Sequence, residues 1–220
     1  MGTPSFAVPI LKALHKKKYL ISATYTQPPQ KSQRGQRYNK SPIHLISEEL
    51  NIECRTPRIL KGNNEEFNFF KKLDVDIVIV VAYGQIIPND FLDLSKKGFI
   101  NIHASLLPKW RGAAPIQRSI INLEKETGIS IMKIGEKLDT GPVCNSYKID
   151  IKENDNAETI STKLSILASE KISENIDGIL DDTVRFKEQD HNNATYASKI
   201  KKSEGEIKWS DNAENIIGKI

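Results

Sequence analysis

The sequence predicts an α/β domain with an open, Rossmann-like, mostly parallel sheet and helices on both faces. Three observations predict it. Short apolar strands alternate with amphipathic helical stretches along most of the chain. Residues 75–82 (VDIVIVVA) form a continuous β-branched run, the pattern of a strand buried on both faces of a parallel sheet. A second short strand, Phe99–His103, carries its polar residues at its carboxyl end, the edge at which open α/β sheets bind ligands.

The chain opens with MGTPSFAVPILKALHKKKYL, a Gly/Pro turn leading into a helix with Phe6, Ile10, Leu11 and Leu14 on one face. A turn and helix without a strand ahead of them are unusual in an α/β domain, so a first strand is expected to be missing from the chain as given. A strand is predicted at 20–25. Residues 27–40, with a Pro-Pro pair and a Gly, read as a long polar and basic loop. Ser41 and Pro42 supply the N-cap and first-turn proline of a helix reaching Leu50. A short extended segment follows at 52–54, and then a helix at 65–72.

Beyond the two strands already named, a Gly/Pro-marked loop leads to a helix at 113–123 and to strands at 129–134 and 143–151. Residues 156–180 form one long helix, apolar at Ile160, Leu164, Leu167, Ile172, Ile176 and Ile179. After Asp181 the chain becomes polar and lysine-rich, with no clear period. The expected organisation is a catalytic domain over 1–182, a linker over 183–208, and the start of a truncated second domain over 209–220.

With 38% hydrophobic and 27% charged residues among 220, the composition is that of a globular chain rather than a disordered one. The longest apolar run, 77–82, falls far short of the roughly 20 residues that span a bilayer, and no signal-peptide pattern opens the chain. Cys54 and Cys144 offer neither a disulfide framework nor metal spacing, which suits a cytoplasmic protein. His15, His44, His103 and His191 have no ligand spacing, so no metal is expected. The net charge of +4 permits a nucleic-acid partner without demanding one.

The chemistry gathers around Asn101 and His103. They stand two apart on a strand and so point to the same face. Alone they read better as a capping asparagine and a satisfied histidine at a strand end. The next segment, SLLPKWRGAAPIQRSI, places Trp110 and Arg111 on a loop directed by proline and glycine, although Trp110 would also serve as a plug at the core edge. Asp139 follows in a turn, Leu-Asp-Thr-Gly, between two predicted strands; a turn aspartate closing its own bend is the plain alternative. The same four residues are the local signature of aspartic proteases, but those need two such aspartates, and the parallel-sheet pattern fits that fold poorly.

An asparagine, a histidine and an aspartate converging on one site suit acyl transfer to an amine. Histidine exchanges protons near neutral pH, an aspartate orients it, and an asparagine N–H donates to the oxyanion. The amine is itself the nucleophile, so no activated serine or cysteine is required.

Ordered strings over nearly the whole chain resemble the folate-dependent formyltransferases, and among them the branch acting on methionyl-tRNA. They are MGTPSFAVP, VAYGQIIP, INIHASLLPKWRGAAPIQ, ETGISIM, LDTG and TYASKIKKSEGEIKW. Asn-x-His, SLLP and the aspartate are shared with relatives acting on glycinamide ribonucleotide and nucleotide sugars. The MGTP and RGAAPIQ strings resemble the tRNA branch more closely.

The resemblance implies 10-formyltetrahydrofolate as formyl donor, Asn101, His103 and Asp139 as the catalytic set, and no metal. It implies that Ser105, Leu106, Leu107 and Pro108 help to hold the folate, and that Tyr83, Gly84, Gln85 and Ile86 line its pterin pocket. The basic loop around Arg34 matches a family insertion that reaches the tRNA acceptor end, which makes Lys31, Arg34 and Arg37 candidate tRNA contacts. The implied partners are initiator methionyl-tRNA and folate, with no membrane and a monomeric enzyme. The family carries a strand ahead of MGTP and a C-terminal β-barrel, neither of which is in this sequence. PVCNS after LDTG departs from the family's more acidic and apolar continuation. Two other readings stay open: a formyltransferase for a small amine such as a nucleotide-linked amino sugar, and an inactive folate- or RNA-binding fragment.

Overall fold

A computed structural model describes residues 1–31 and 38–219. The chain forms two compact units. One comprises Met1–Asn101 with Ala168–Val184, the other Ile102–Leu167 with the chain from Arg185 on.

In the first unit, helix α1 (Val8–Lys16) starts with a proline in its first turn and buries Ile10, Leu11 and Leu14, beside Phe6 of the preceding turn. Strand β1 (Thr24–Tyr25) is followed by a short antiparallel pair within the expected loop, β2 (Gln30–Lys31) and β3 (Tyr38–Asn39). Helix α2 (Pro42–Glu49) is capped as the sequence predicts, with Ser41 Oγ accepting from the His44 amide. It leads to β4 (Cys54–Arg55), which lies parallel to β1. Helix α3 (Asn64–Lys72) is capped by Asn63 and brings Glu66 against Tyr25 and Arg55: the Tyr25 hydroxyl and the Arg55 guanidinium both donate to its carboxylate. Burial and this carboxylate together push the Tyr25 phenol far above its ordinary range. Strand β5 (Val78–Val80) runs parallel to β6 (Phe99–His103), with Val80 in register with Asn101, and the short helix α4 (Asn89–Leu92) lies between them in sequence.

The first two residues act as a strand. The Gly2 amide donates to Tyr25 O at 2.8 Å, the Val81 amide donates to Met1 O at 2.8 Å, and the Met1 ammonium donates to Ile79 O at 2.7 Å. Only glycine fits at position 2, because a Cβ would come within 2.9 Å of Val81 O. Burial pushes the Met1 amine down from 8.0 to about 5.

Beside them a cavity of about 330 Å³ is lined by Leu14, Leu20, Ile21, Val75, Ile77 and Leu180, among others. It explains two corrections. The strands expected at 20–25 and 75–82 shrink to Thr24–Tyr25 and Val78–Val80: residues 20–23 and 75–77 face this space and gain no ladder partner, and Val81 keeps only an isolated parallel bridge to Gly2. Leu20, at its edge, is 93% exposed.

In the second unit, β7 (Arg111–Gly112) precedes helix α5 (Pro115–Ile121). Strand β8 (Glu126–Lys133), buried over most of its length, pairs antiparallel with β9 (Val143–Asp150), whose residues alternate towards solvent. Gly128 allows this close pairing, since a Cβ there would meet Tyr147 O at 2.2 Å. The parallel pairs thus coexist with antiparallel ones. The long helix α6 (Ala157–Leu180) begins in this unit, burying Ile160 and Leu164, and its C-terminal half belongs to the first unit, burying Ile172 and Ile176.

The segment after Val184 is docked at several points up to Glu204. Lys187 and Val143 exchange backbone hydrogen bonds, β10 (Tyr196–Ala197) lies parallel to β7, and Arg118 forms an ion pair with Glu204.

Candidate active site

Strand β6 ends at His103, and the turns that follow surround the imidazole. Its Nε2 lies 2.9 Å from Trp110 O and its Nδ1 lies 3.6 Å from Asp139 Oδ2. Both ring nitrogens therefore face oxygen acceptors, and both residues are largely buried. The Gly112 amide donates to the same Asp139 Oδ2 at 2.8 Å.

The backbone is unusual where it builds this site. Trp110 and Asp139 hold φ of 59° and 50°, in the left-handed region that side chains seldom adopt. Gly112, at φ 118°, lies so close to Ala197 O that a Cβ would be 2.8 Å from it. Gly141 lies still closer to Lys133 O, which would be 2.0 Å from a Cβ. Glycine lets β7 lie close against Ala197 and lets the turn after Asp139 lie close against Lys133.

The structure brings His103 and Asp139 together as expected. Asn101 is half-buried, two residues earlier on the same strand and so on the same strand face as His103.

The residues expected to hold a folate fall into two groups. In the second unit Ser105 is buried and its hydroxyl donates to Lys109 O at 2.6 Å, so it shapes its own loop. The Leu107 amide donates to Ser130 Oγ at 3.0 Å. Leu106 and Pro108 border a concavity of about 630 Å³ shared with Trp110, Glu124, Thr127 and Thr195. Two buried polar atoms on its walls, Trp110 Nε1 and Thr127 Oγ1, have no hydrogen-bond partner among the described residues.

In the first unit Tyr83 is buried, and its carbonyl accepts from Thr3 and Gln27. Gly84 holds φ 80°, and Gln85 donates to Pro57 O at 2.7 Å. Ile86, 91% exposed, offers a bare apolar side chain. Lys31 is exposed on β2, its ammonium 5.7 Å from the Tyr38 ring centroid. Arg34 and Arg37 lie outside the described residues.

Sequence reasoning missed a layer behind the pair. Arg111 is only 2% exposed, and its guanidinium donates to Gln189 Oε1 at 3.1 and 2.7 Å and to His191 Nδ1 at 2.9 Å. Gln189 Nε2 in turn donates to Asp139 O and Gly141 O, at 2.9 and 2.7 Å. The motif string pointed to Arg111; nothing local pointed to Gln189. Among the described residues no cluster of His, Cys, Asp or Glu is arranged to hold a metal, and no helix is long and apolar enough to cross a membrane.

Comparison with known proteins agrees in sequence and in fold. A family model described as formyl transferase matches residues 1–176. A methionyl-tRNA formyltransferase of Pelagibacter ubique is 74% identical over 220 residues, spanning all of this chain and 71% of that protein. One from Brucella ovis is 41% identical over 221 residues, spanning all of this chain and 72% of its own length. Among solved structures, an N-formyltransferase from Helicobacter canadensis in complex with folinic acid and dTDP-3-aminofucose superposes with a TM-score of 0.76. It is 22% identical, covering all of this chain and 77% of that one. A phosphoribosylglycinamide formyltransferase from Bacillus halodurans gives a TM-score of 0.68 at 20% identity, covering 83% of this chain and 94% of that one.

Proposed function

The chain belongs to the formyl transferase family, and from that membership we propose that it transfers a formyl group from 10-formyltetrahydrofolate to the amino group of methionine on initiator tRNA, in translation initiation. The observation that carries the choice of acceptor is the 74% identity, across the whole chain, with a relative named methionyl-tRNA formyltransferase.

The site supports the chemistry. The amine attacks the formyl carbon, a new C–N bond forms, and the bond from the formyl carbon to the folate nitrogen breaks. One proton must leave the amine and one must reach the departing nitrogen. His103 is the group we assign to that traffic, and Asp139, facing its Nδ1, orients the ring and balances its charge. Asn101 is assigned as donor to the developing oxyanion.

The donor's mixed chemistry, flat rings with polar edges, matches a wall of Leu106 and Pro108 that also carries the unpartnered indole N–H and threonine hydroxyl. Ser105 and Leu107 would act by holding that loop in shape, and Tyr83, Gly84, Gln85 and Ile86 are assigned to the pterin. Lys31, with Arg34 and Arg37, is assigned to the tRNA backbone.

We read residues 1–182 as the catalytic domain, 183–208 as a docked connecting segment and 209–220 as the start of another domain. The protein is read as a cytoplasmic monomer.

The test is formyl transfer to charged initiator tRNA beside an elongator methionyl-tRNA. Transfer to the initiator alone is expected, and transfer to neither would overturn the reading.

A further inference from the structure

We infer that Gln189, gripped by Arg111, is a positioning residue for Asp139; the inference rests on the formyl-transfer reading of that site. Gln189 is buried and uses both ends of its amide. Its oxygen takes two hydrogen bonds from one guanidinium, and its nitrogen gives both its protons to the carbonyls of Asp139 and Gly141. Those carbonyls flank Thr140, so one side chain clamps the whole turn that carries the carboxylate.

The turn needs a clamp. Asp139 is held at φ 50°, in the left-handed region, which aspartate enters more readily than most residues but which is still less favoured than φ below zero. The determinants here are Gln189 on the carbonyl side and the Gly112 amide on the carboxylate side.

Both lead back to one dipeptide. Gly112 holds the carboxylate through its backbone, and Arg111 holds Gln189 through its side chain. The dipeptide is itself fixed by β10: the Arg111 amide donates to Thr195 O and the Ala113 amide to Ala197 O, both at 2.9 Å.

Arg111 supports the same conclusion. A guanidinium removed from water without a carboxylate is costly. Among the described residues this one makes no ion pair, and its side-chain partners are Gln189 and His191. What it achieves there is the orientation of Gln189.

The His103–Asp139 separation of 3.6 Å is longer than a hydrogen bond, so a small rotation of the turn decides whether one forms. Gln189 thus governs how well Asp139 orients the imidazole, which acts on turnover rather than on substrate affinity.

The test compares Gln189→Leu and Gln189→Glu with the parent chain. The glutamate keeps an acceptor for Arg111 but places oxygen where the two N–H donors were. Circular dichroism and thermal midpoint report whether each variant folds. The proposal expects kcat to fall about 10- to 100-fold in both while KM changes by less than about threefold. It also expects the His103 ring ¹⁵N resonances to move. A role confined to the scaffold predicts that Gln189→Glu, once folded, transfers formyl at the parent rate with the His103 resonances unmoved; that result would overturn the inference. Should the parent formylate no amine at all, the reaction reading fails, and the His103 resonances alone decide: a shift supports positioning and its absence refutes it.

Discussion

Asp139 Oδ2 serves two masters: the Gly112 amide donates to it at 2.8 Å, and His103 Nδ1 stands 3.6 Å away. One oxygen is anchored to the backbone while it faces the imidazole, so the carboxylate is held in place before any substrate arrives.

Asp139→Asn separates these roles. The amide oxygen still accepts from Gly112, but the charge opposite His103 is gone. We expect kcat to fall by about 10²- to 10⁴-fold with little change in thermal midpoint, and His103→Ala to lose about as much. Steady-state formyl transfer checks both, and parent-like turnover in either variant would remove that residue from its assigned role.

Gly141→Ala tests the turn itself. The added methyl would lie 2.0 Å from Lys133 O, and neither strand backbone nor turn gives way cheaply. We expect a loss of about 2 kcal/mol in urea denaturation and a drop of at least about 10-fold in kcat, because Gly141 O is one of the two carbonyls held by Gln189. An unchanged denaturation midpoint would mean that the turn is looser than its geometry.

Lys31→Ala separates tRNA from a small amine as acceptor. If Lys31 meets a phosphate, the log–log salt dependence of tRNA affinity should weaken by about one unit of slope, and folate affinity should stay put. An unaltered slope would argue for an acceptor that never approaches this loop.

Much of the fold was legible because local patterns and packing agree. Ser41 caps α2, Phe99–His103 is a strand, and α1 buries the face that its spacing marks. Legibility failed where a neighbour decides. Residues 20–23 and 75–77 have strand-like side chains but no backbone partner across the cavity, and propensity cannot supply one. In the site, His103 and Asp139 carried local signatures. Gln189 had none, for it is a polar residue in a polar stretch, and its meaning comes from a contact with Arg111 at a separation of 78 residues.

The formyl transferase match ends at residue 176, yet Lys187, Gln189, His191, Thr195 and Ala197 all touch the strands and turns that build the site. The likeness to the Pelagibacter ubique relative runs over the whole chain, so the end of the matched domain is not the end of the working machinery. A fragment trimmed to the matched region would keep His103 and Asp139 and lose the pieces that aim them, and a proteolytic nick near residue 185 should silence the enzyme while sparing every residue assigned to the chemistry.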